Sequence, residues 1–324
     1  GFSVRCFAVV PEPTPRPTSP ELSTPKAKMM NLMRHPQLWP VAVSRPQMWA
    51  PSVLTFLHGA LATRDDVPLF WVNLLYFLFP YNLLIMGWND IIDYKVDSIN
   101  PRKQDRLMAP HQLEMLPTLI VLAQLPFVAI WLATYDLGVV AWFVANIVLS
   151  SFAYNGLSEE SKWKFSRRPF YDVFNNIWLW MIPFMVAVAR PHGVGDSIYS
   201  GDSKTTATWM SLAIARSQLV AAYWDHDADA KGGKRTICTY FGKPATSTII
   251  GLCGLLEAAS VHTMYVERGG TNPAFAASII MATVLSTCAT MLGSYSPLLG
   301  MLRDHVIDNM YYTTTAIVVA VLFL

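Results

Sequence analysis

Charge is what this sequence has least of. Asp, Glu, Lys and Arg make up 14% of its 324 residues, against roughly 25% in a soluble domain. A water-soluble chain of this length needs more charge to cover its surface, so the deficit points to a surface that faces lipid. The net charge of +2 is too small to argue for nucleic acid as a partner. Cysteine is scarce as well. Cys6, Cys238, Cys253 and Cys288 lie far apart with no CxxC, which indicates neither a disulfide framework nor a zinc site. They read as small packing residues or free thiols. No segment alternates polar and apolar as a membrane barrel strand does, so any spans are helices.

Hydrophobic residues fill the gap, at 53%. Apolar stretches of membrane-spanning length recur near 41–62, 69–92, 113–134, 137–157, 170–189, 206–228, 246–266, 274–295 and 307–324. The expected fold is therefore an all-α integral membrane protein of about nine transmembrane helices, occupying residues 36–324. Residues 1–35 differ: Pro11, Pro13, Pro15, Pro17, Pro20 and Pro25 alternate with small and basic residues. That pattern forms neither helix nor core. It reads as a disordered tail or as the remnant of an organellar transit peptide.

The loops split by charge. Those after the second, fourth and sixth stretches hold Lys95, Arg102, Lys103, Arg106, Lys162, Lys164, Arg167, Arg168, Lys231, Lys234, Arg235 and Lys243. The opposite loops hold Arg64, Arg190, Lys204 and Arg268. The positive-inside rule places the first set on the cytosolic, matrix or stromal side, which implies a multi-pass protein, with an organellar membrane as one location.

Two acidic segments fall on that basic side. The first is Asn89-Asp90-Ile-Ile-Asp93-Tyr-Lys-Val-Asp97. On a helix, positions 89, 93 and 97 share a face, with Asp90 beside them. Carboxylates of one sign crowded at a membrane edge repel each other and are costly, unless a hard divalent cation sits among them. Mg²⁺ suits this role, because it takes a few carboxylates and completes its shell with substrate phosphate oxygens. The second segment is Asp225-His226-Asp227-Ala228-Asp229, followed by Lys231-Gly-Gly-Lys234-Arg235-Thr236. Asp225 and Asp229 again share a face, and the glycine pair ends the helix and returns basic side chains to the same mouth. Two carboxylate groups beside Lys and Arg fit metal ions on a diphosphate. Asp227 points to another face and is a weaker metal candidate.

The first segment resembles the NDxxDxxxD motif of the UbiA superfamily of intramembrane prenyltransferases. The second is similar to that family's DxxxD motif with its trailing Gly and Thr, matched by Asp225, Asp229, Gly233 and Thr236. Ser44-Arg45-Pro46 resembles the start of the family's first helix, and Arg167-Arg168-Pro169-Phe170-Tyr171-Asp172 its entry to the fifth. The resemblance implies nine helices around a central cavity. The stretch from Asn89 to Lys103, and Pro169, Phe170, Asp172 and Asn175 or Asn176, look closest to the lycopene-elongase branch. Tyr154-Asn155-Gly-Leu-Ser158-Glu159-Glu160 departs from the Ser-x-Pro-Pro that many members carry after the equivalent Tyr.

The expected activity is Mg²⁺-dependent transfer of an isoprenyl group from its diphosphate to a lipophilic acceptor within the membrane. A carotenoid-like polyene is the first candidate acceptor and a quinone or other aromatic the second. Expected metal-holding residues are Asn89, Asp90, Asp93, Asp97, Asp225 and Asp229. Lys103, Arg106, Lys234 and Arg235 offset charge on the diphosphate. Arg216, in mid-span, either binds diphosphate or acceptor or pairs inside the bundle. Asp172 either orients the acceptor, removes a proton or supports the metal, or pairs with Arg167 or Arg168. Tyr154 either stabilises a carbocation or is an interfacial tyrosine. Arg45 and Asn176 are placed on the acceptor side, although Arg45 could equally snorkel to the interface. His58 reads as a packing histidine. Two rival functions use the same acids: a terpene cyclase of the same superfamily, and a cation transporter. Transport sites usually lie at the bilayer midplane, whereas these acids lie at helix ends.

Overall fold

The computed structural model describes residues 35, 37–63, 66–98, 107–158, 161, 163–193, 201–267, 269–270, 277 and 281. The elements in chain order are α1 (Trp39–Val43), a 3-10 turn (Pro46–Met48), α2 (Trp49–Thr63), α3 (Phe70–Leu78), α4 (Pro80–Ile92), α5 (Tyr94–Ser98) and α6 (Pro110–Thr134). They continue with α7 (Leu137–Asn155), a second 3-10 turn (Phe165–Arg167), α8 (Tyr171–Val188), α9 (Gly201–Lys231) and α10 (Ile237–Glu267). Seven of the expected spans fall on these helices. The expected tail lies outside the described residues except for His35. The eighth and ninth spans lie outside them except for Ala277 and Met281. The described residues do not establish a count of nine.

Two expected spans are broken, each at a proline. The stretch near 41–62 divides at Arg45, because Pro46 has no N–H and disfavours helical geometry in the residue before it. The stretch near 69–92 divides at Phe79, before Pro80, where φ is −125° and ψ −62°. A broken helix in an apolar surrounding must satisfy the carbonyls it frees. Here Ser52 Oγ and Asn82 Nδ2 both donate to the Phe77 carbonyl at 2.7 Å, and Asn82 also bonds Ser52 at 2.8 Å. α9 runs longer than expected, and α10 starts earlier and kinks at Gly242.

Among the described residues, four segments are long and apolar enough to cross a membrane by length and composition: Phe70–Ile92, Pro110–Thr134, Leu137–Asn155 and Ile237–Glu267. α6 shows what such a helix meets. Only 17% of its apolar stretch is buried, and Met115, Val121, Leu122, Leu125 and Leu132 lie open. Large apolar side chains displayed in this way need lipid around them. The interior is aromatic: Phe56, Tyr76, Phe77, Tyr81, Trp131, Tyr135 and Phe143 form one cluster at the centre of α2, α3, α4, α6 and α7. The Trp131 indole N–H is satisfied by Asn73 at 2.8 Å. α9 and α10 pack along each other, and α8 lies against α2, α7 and α9. These contacts bring the C-terminal ends of α4, α7 and α9 to one end of the bundle.

Candidate active site

The first acidic segment closes α4. The helix stops at Ile92, Asp93 takes a bend (φ −94°, ψ 8°), and α5 restarts at Tyr94. The expected continuous helix over 89–97 is thus interrupted at its central carboxylate. The shared face survives, because Asn89 Nδ2 donates to Asp93 Oδ2 at 3.2 Å. Asn89 also donates to Asn155 Oδ1 at 2.9 Å, tying the segment to the end of α7. Asp97 is buried one turn further on, its N–H bonded to the Asp93 carbonyl at 2.8 Å.

Each acid at the end of α4 meets a cation from a distant segment. Asp90 is paired with Arg45, from the turn before α2. Asp93 Oδ1 accepts from Lys164 Nζ at 3.1 Å, and the Lys164 side chain is only 1% exposed. Gly156 makes room for that lysine. Its φ of +75° is a glycine conformation, and a Cβ there would stand 2.8 Å from Lys164 Cγ. Sequence reasoning counted Lys164 among the basic loop residues and gave it no role. Nothing local separates it from Lys162, because its partner lies 71 residues away.

The second segment is built locally. α9 ends in a Schellman turn: Gly233 N–H bonds the Ala230 carbonyl at 3.2 Å, and Lys234 N–H bonds Asp229 at 2.8 Å. Gly233 occupies the left-handed position at φ +66°. The turn folds Lys234 back over its own helix end, where Nζ lies 3.9 Å from Asp229 Oδ1. Burial works against the Lys234 ammonium, but the Asp229, Asp93 and Asp225 carboxylates surround it with negative potential and hold its pKa above the usual lysine range. One lysine therefore feels acids of both motifs.

The neighbouring residues point elsewhere. Arg235 is exposed, its guanidinium carbon 5.7 Å from the centre of the Tyr240 ring. Asp227 is also exposed and bonds His226 at 2.8 Å and Lys243 at 3.4 Å, away from Asp225 and Asp229. Lys103 and Arg106 lie outside the described residues.

Asp172 is fully buried at the first turn of α8. Its Oδ2 accepts from the Ile237 N–H at 3.4 Å, at the N-terminus of α10, where a helix favours negative charge. Among the described residues, its Oδ1 has no hydrogen-bond partner. The geometry thus gives Asp172 a helix terminus rather than the Arg167 or Arg168 partner allowed for. Asn176 donates to the Asp172 carbonyl at 2.9 Å, and Asn175 to the Ser150 carbonyl at 3.0 Å. Arg216 is paired with Glu257 of α10, through Nε and through Nη2 to Oε2 at 2.8 Å, both side chains being buried. That is the bundle pairing left open for it. Arg216 lies nine residues before Asp225 on a continuous helix, about 13 Å along the axis. His58 packs on Trp209 and bonds the Leu54 carbonyl at 2.6 Å.

Among the described residues, no three His, Cys, Asp or Glu side chains converge into a cage for a metal ion. Mg²⁺ does not need one. It is commonly held by one or two carboxylates plus substrate phosphates and water. Hard oxygen donors at Asn89, Asp90, Asp93, Asp225 and Asp229, with a lysine suited to an anion beside Asp93, Asp225 and Asp229, fit that mode.

A helical, lipid-facing bundle with acids and lysines gathered at one end defines an intramembrane protein with a polar mouth. The chain belongs to the UbiA prenyltransferase family, which it matches over residues 52–297. A lycopene elongase/hydratase of Corynebacterium glutamicum is 26% identical over 255 residues, covering 76% of this chain and 82% of that protein. The fold matches a ligand-free UbiA homologue from Aeropyrum pernix (TM-score 0.60, 17% identity, 86% of this chain and 98% of that one). It also matches a UbiA homologue from Archaeoglobus fulgidus bound to GPP and Mg²⁺ (TM-score 0.56, 14% identity, 87% and 98%). Within the family, the chain falls with the lycopene-elongase-like branch.

Proposed function

We propose that this protein transfers an isoprenyl group from an isoprenyl diphosphate to a carotenoid-like polyene acceptor within the membrane. The observation that carries the reading is Lys234, which the glycine turn folds to 3.9 Å from Asp229 Oδ1, in a field to which Asp93 and Asp225 also contribute. A cation held among acids from two helices suits a ligand that brings both metal and phosphate. The lycopene elongase/hydratase relative supports the polyene acceptor, and the homologue bound to GPP and Mg²⁺ supports the donor class.

Asn89, Asp90, Asp93, Asp225 and Asp229 would hold magnesium, which when bound supplies a Lewis acid to the diphosphate. Lys234 offsets the charge that grows on the leaving group, with Lys103 and Arg106 of the basic loop after the first acidic segment as further cations. The Tyr154 ring faces the allylic cation and stabilises it. Apolar helix walls keep water from quenching that cation. Asp172, through the Oδ1 that no described residue hydrogen-bonds, orients the acceptor or takes its proton. The basic loops support a mouth on the cytosolic, matrix or stromal side.

The test is release of diphosphate from geranylgeranyl diphosphate, with and without a polyene acceptor, by wild type, Asp90→Ala and Asp225→Ala. Each variant is expected to lose about 10²-fold or more in rate, and the wild type to need both Mg²⁺ and the acceptor. Undiminished turnover in the variants would remove the metal assignment. A cyclic product from the donor alone would replace transfer with cyclisation.

A further inference from the structure

Arg45 reaches the mouth from the turn between α1 and α2, and its backbone is unusual. It sits in the left-handed region at φ 53°, ψ 79°, which a residue with a side chain seldom adopts. The surroundings hold it there. Arg45 N–H bonds the Ala42 carbonyl at 3.0 Å, and its own carbonyl accepts from Met48 N–H at 2.7 Å. Ser44, fully buried, donates to the Val41 carbonyl at 2.7 Å and accepts from Trp49 Nε1 at 3.0 Å. Backbone strain kept by over-determined packing is common at functional sites. Here it directs one guanidinium onto Asp90.

The two cation–acid pairs at the end of α4 differ in how firmly they are closed. Lys164 and Asp93 are 1% and 10% exposed at the side chain, whereas Arg45 and Asp90 are 21% and 16%. Water reaches the second pair, and ion pairs open to water are weak and separable. Asp90 is also one of the oxygens assigned to the metal above. A divalent ion arriving alone would have to dislodge the guanidinium and then sit beside it, cation against cation. A divalent ion arriving with diphosphate brings the negative charge that the displaced guanidinium needs.

We infer that Arg45 is a resident counterion of Asp90, a positioning residue that the incoming metal displaces, and that it makes metal binding depend on diphosphate. The inference rests on the metal-diphosphate reading of the mouth. Thermodynamic linkage makes the coupling reciprocal, so Arg45 also favours diphosphate that arrives with metal over diphosphate alone.

The experiment is Mn²⁺ binding to the full-length chain in detergent, read by electron paramagnetic resonance, with and without inorganic diphosphate. Wild type should bind bare Mn²⁺ weakly and gain affinity with diphosphate. Arg45→Gln should bind bare Mn²⁺ about threefold to fivefold more tightly, the worth of one partly exposed ion pair, and the gain from diphosphate should shrink correspondingly. Arg45→Lys keeps the charge and should stay within about twofold of wild type. A purely structural Arg45 would weaken both bindings instead. The wild type gives a second readout that needs no variant. Amide exchange over residues 44–49 should quicken when Mn²⁺ and diphosphate are added together, and no change there overturns the inference. Asp90→Asn separates the two levels. If it weakens Mn²⁺ binding while Arg45→Gln leaves it unchanged, the counterion role fails alone. If Asp90→Asn binds Mn²⁺ as wild type does, the metal reading fails and takes the counterion with it.

Discussion

The two acidic segments, to which we assign similar work, are assembled in opposite ways. At the end of α9 the cation that serves the acids is five residues from Asp229, delivered by a Schellman turn and a glycine at φ +66°. At the end of α4 the cations come from 45 residues before Asp90 and 71 residues after Asp93. The first arrangement forms wherever its helix forms. The second exists only after α2, α4 and α7 have packed, so it reports on the tertiary fold as much as on the chemistry.

That contrast predicts different failures for the two lysines. Lys164→Ala leaves the Asp93 carboxylate almost buried without its partner and should destabilise the protein by about 3–5 kcal/mol, seen as a lower unfolding midpoint in detergent. Lys234 is more exposed, 25% at the side chain, so solvent screens its pair. Lys234→Ala should cost under about 1 kcal/mol of stability, yet slow diphosphate release about 10²-fold. Equal effects on stability would erase the distinction between the two sites.

Glu257→Gln should cost about 3 kcal/mol of stability, because Arg216 then stands in mid-bundle without its counterion. The double change Arg216→Leu with Glu257→Leu should recover most of that loss, with KM for the donor unchanged. A raised KM in the double variant would return Arg216 to the diphosphate. Gly233→Ala should cost about 1–2 kcal/mol through its backbone angle alone, since a Cβ there meets nothing within 4 Å. It should also lower the rate by shifting Lys234, and Gly233→Asn should do less harm on both counts. Smallest of all is Asp227→Asn. Its exposed carboxylate is engaged with His226 and Lys243, so diphosphate release should change by less than about twofold.

What could be read from the sequence follows the same division. Local patterns carried over: helices on seven of the expected spans, the shared face of Asn89 and Asp93, and the glycine-ended turn that brings Lys234 to Asp229. Both helix breaks stood beside a visible proline, yet long apolar runs at 41–62 and 69–92 masked Pro46 and Pro80. The partners of Asp93, Arg216 and Asp172 were not legible. Lys164, Glu257 and the Ile237 N–H are each more than 40 residues from the group they satisfy, and no spacing rule reaches that far. Arg45 shows the limit most clearly. Its charge near the first span was evident, but only the strained turn shows that it faces Asp90.

The central claim is that both acidic segments act on one diphosphate. It is tested most directly by the rate of Mg²⁺-dependent diphosphate release in a cycle of wild type, Asp90→Ala, Asp225→Ala and the double variant. Residues that work as one unit are not additive. The account predicts that the double variant is no slower than the slower single variant by more than about threefold. Losses that multiply across the two segments would mean separate sites and would contradict it.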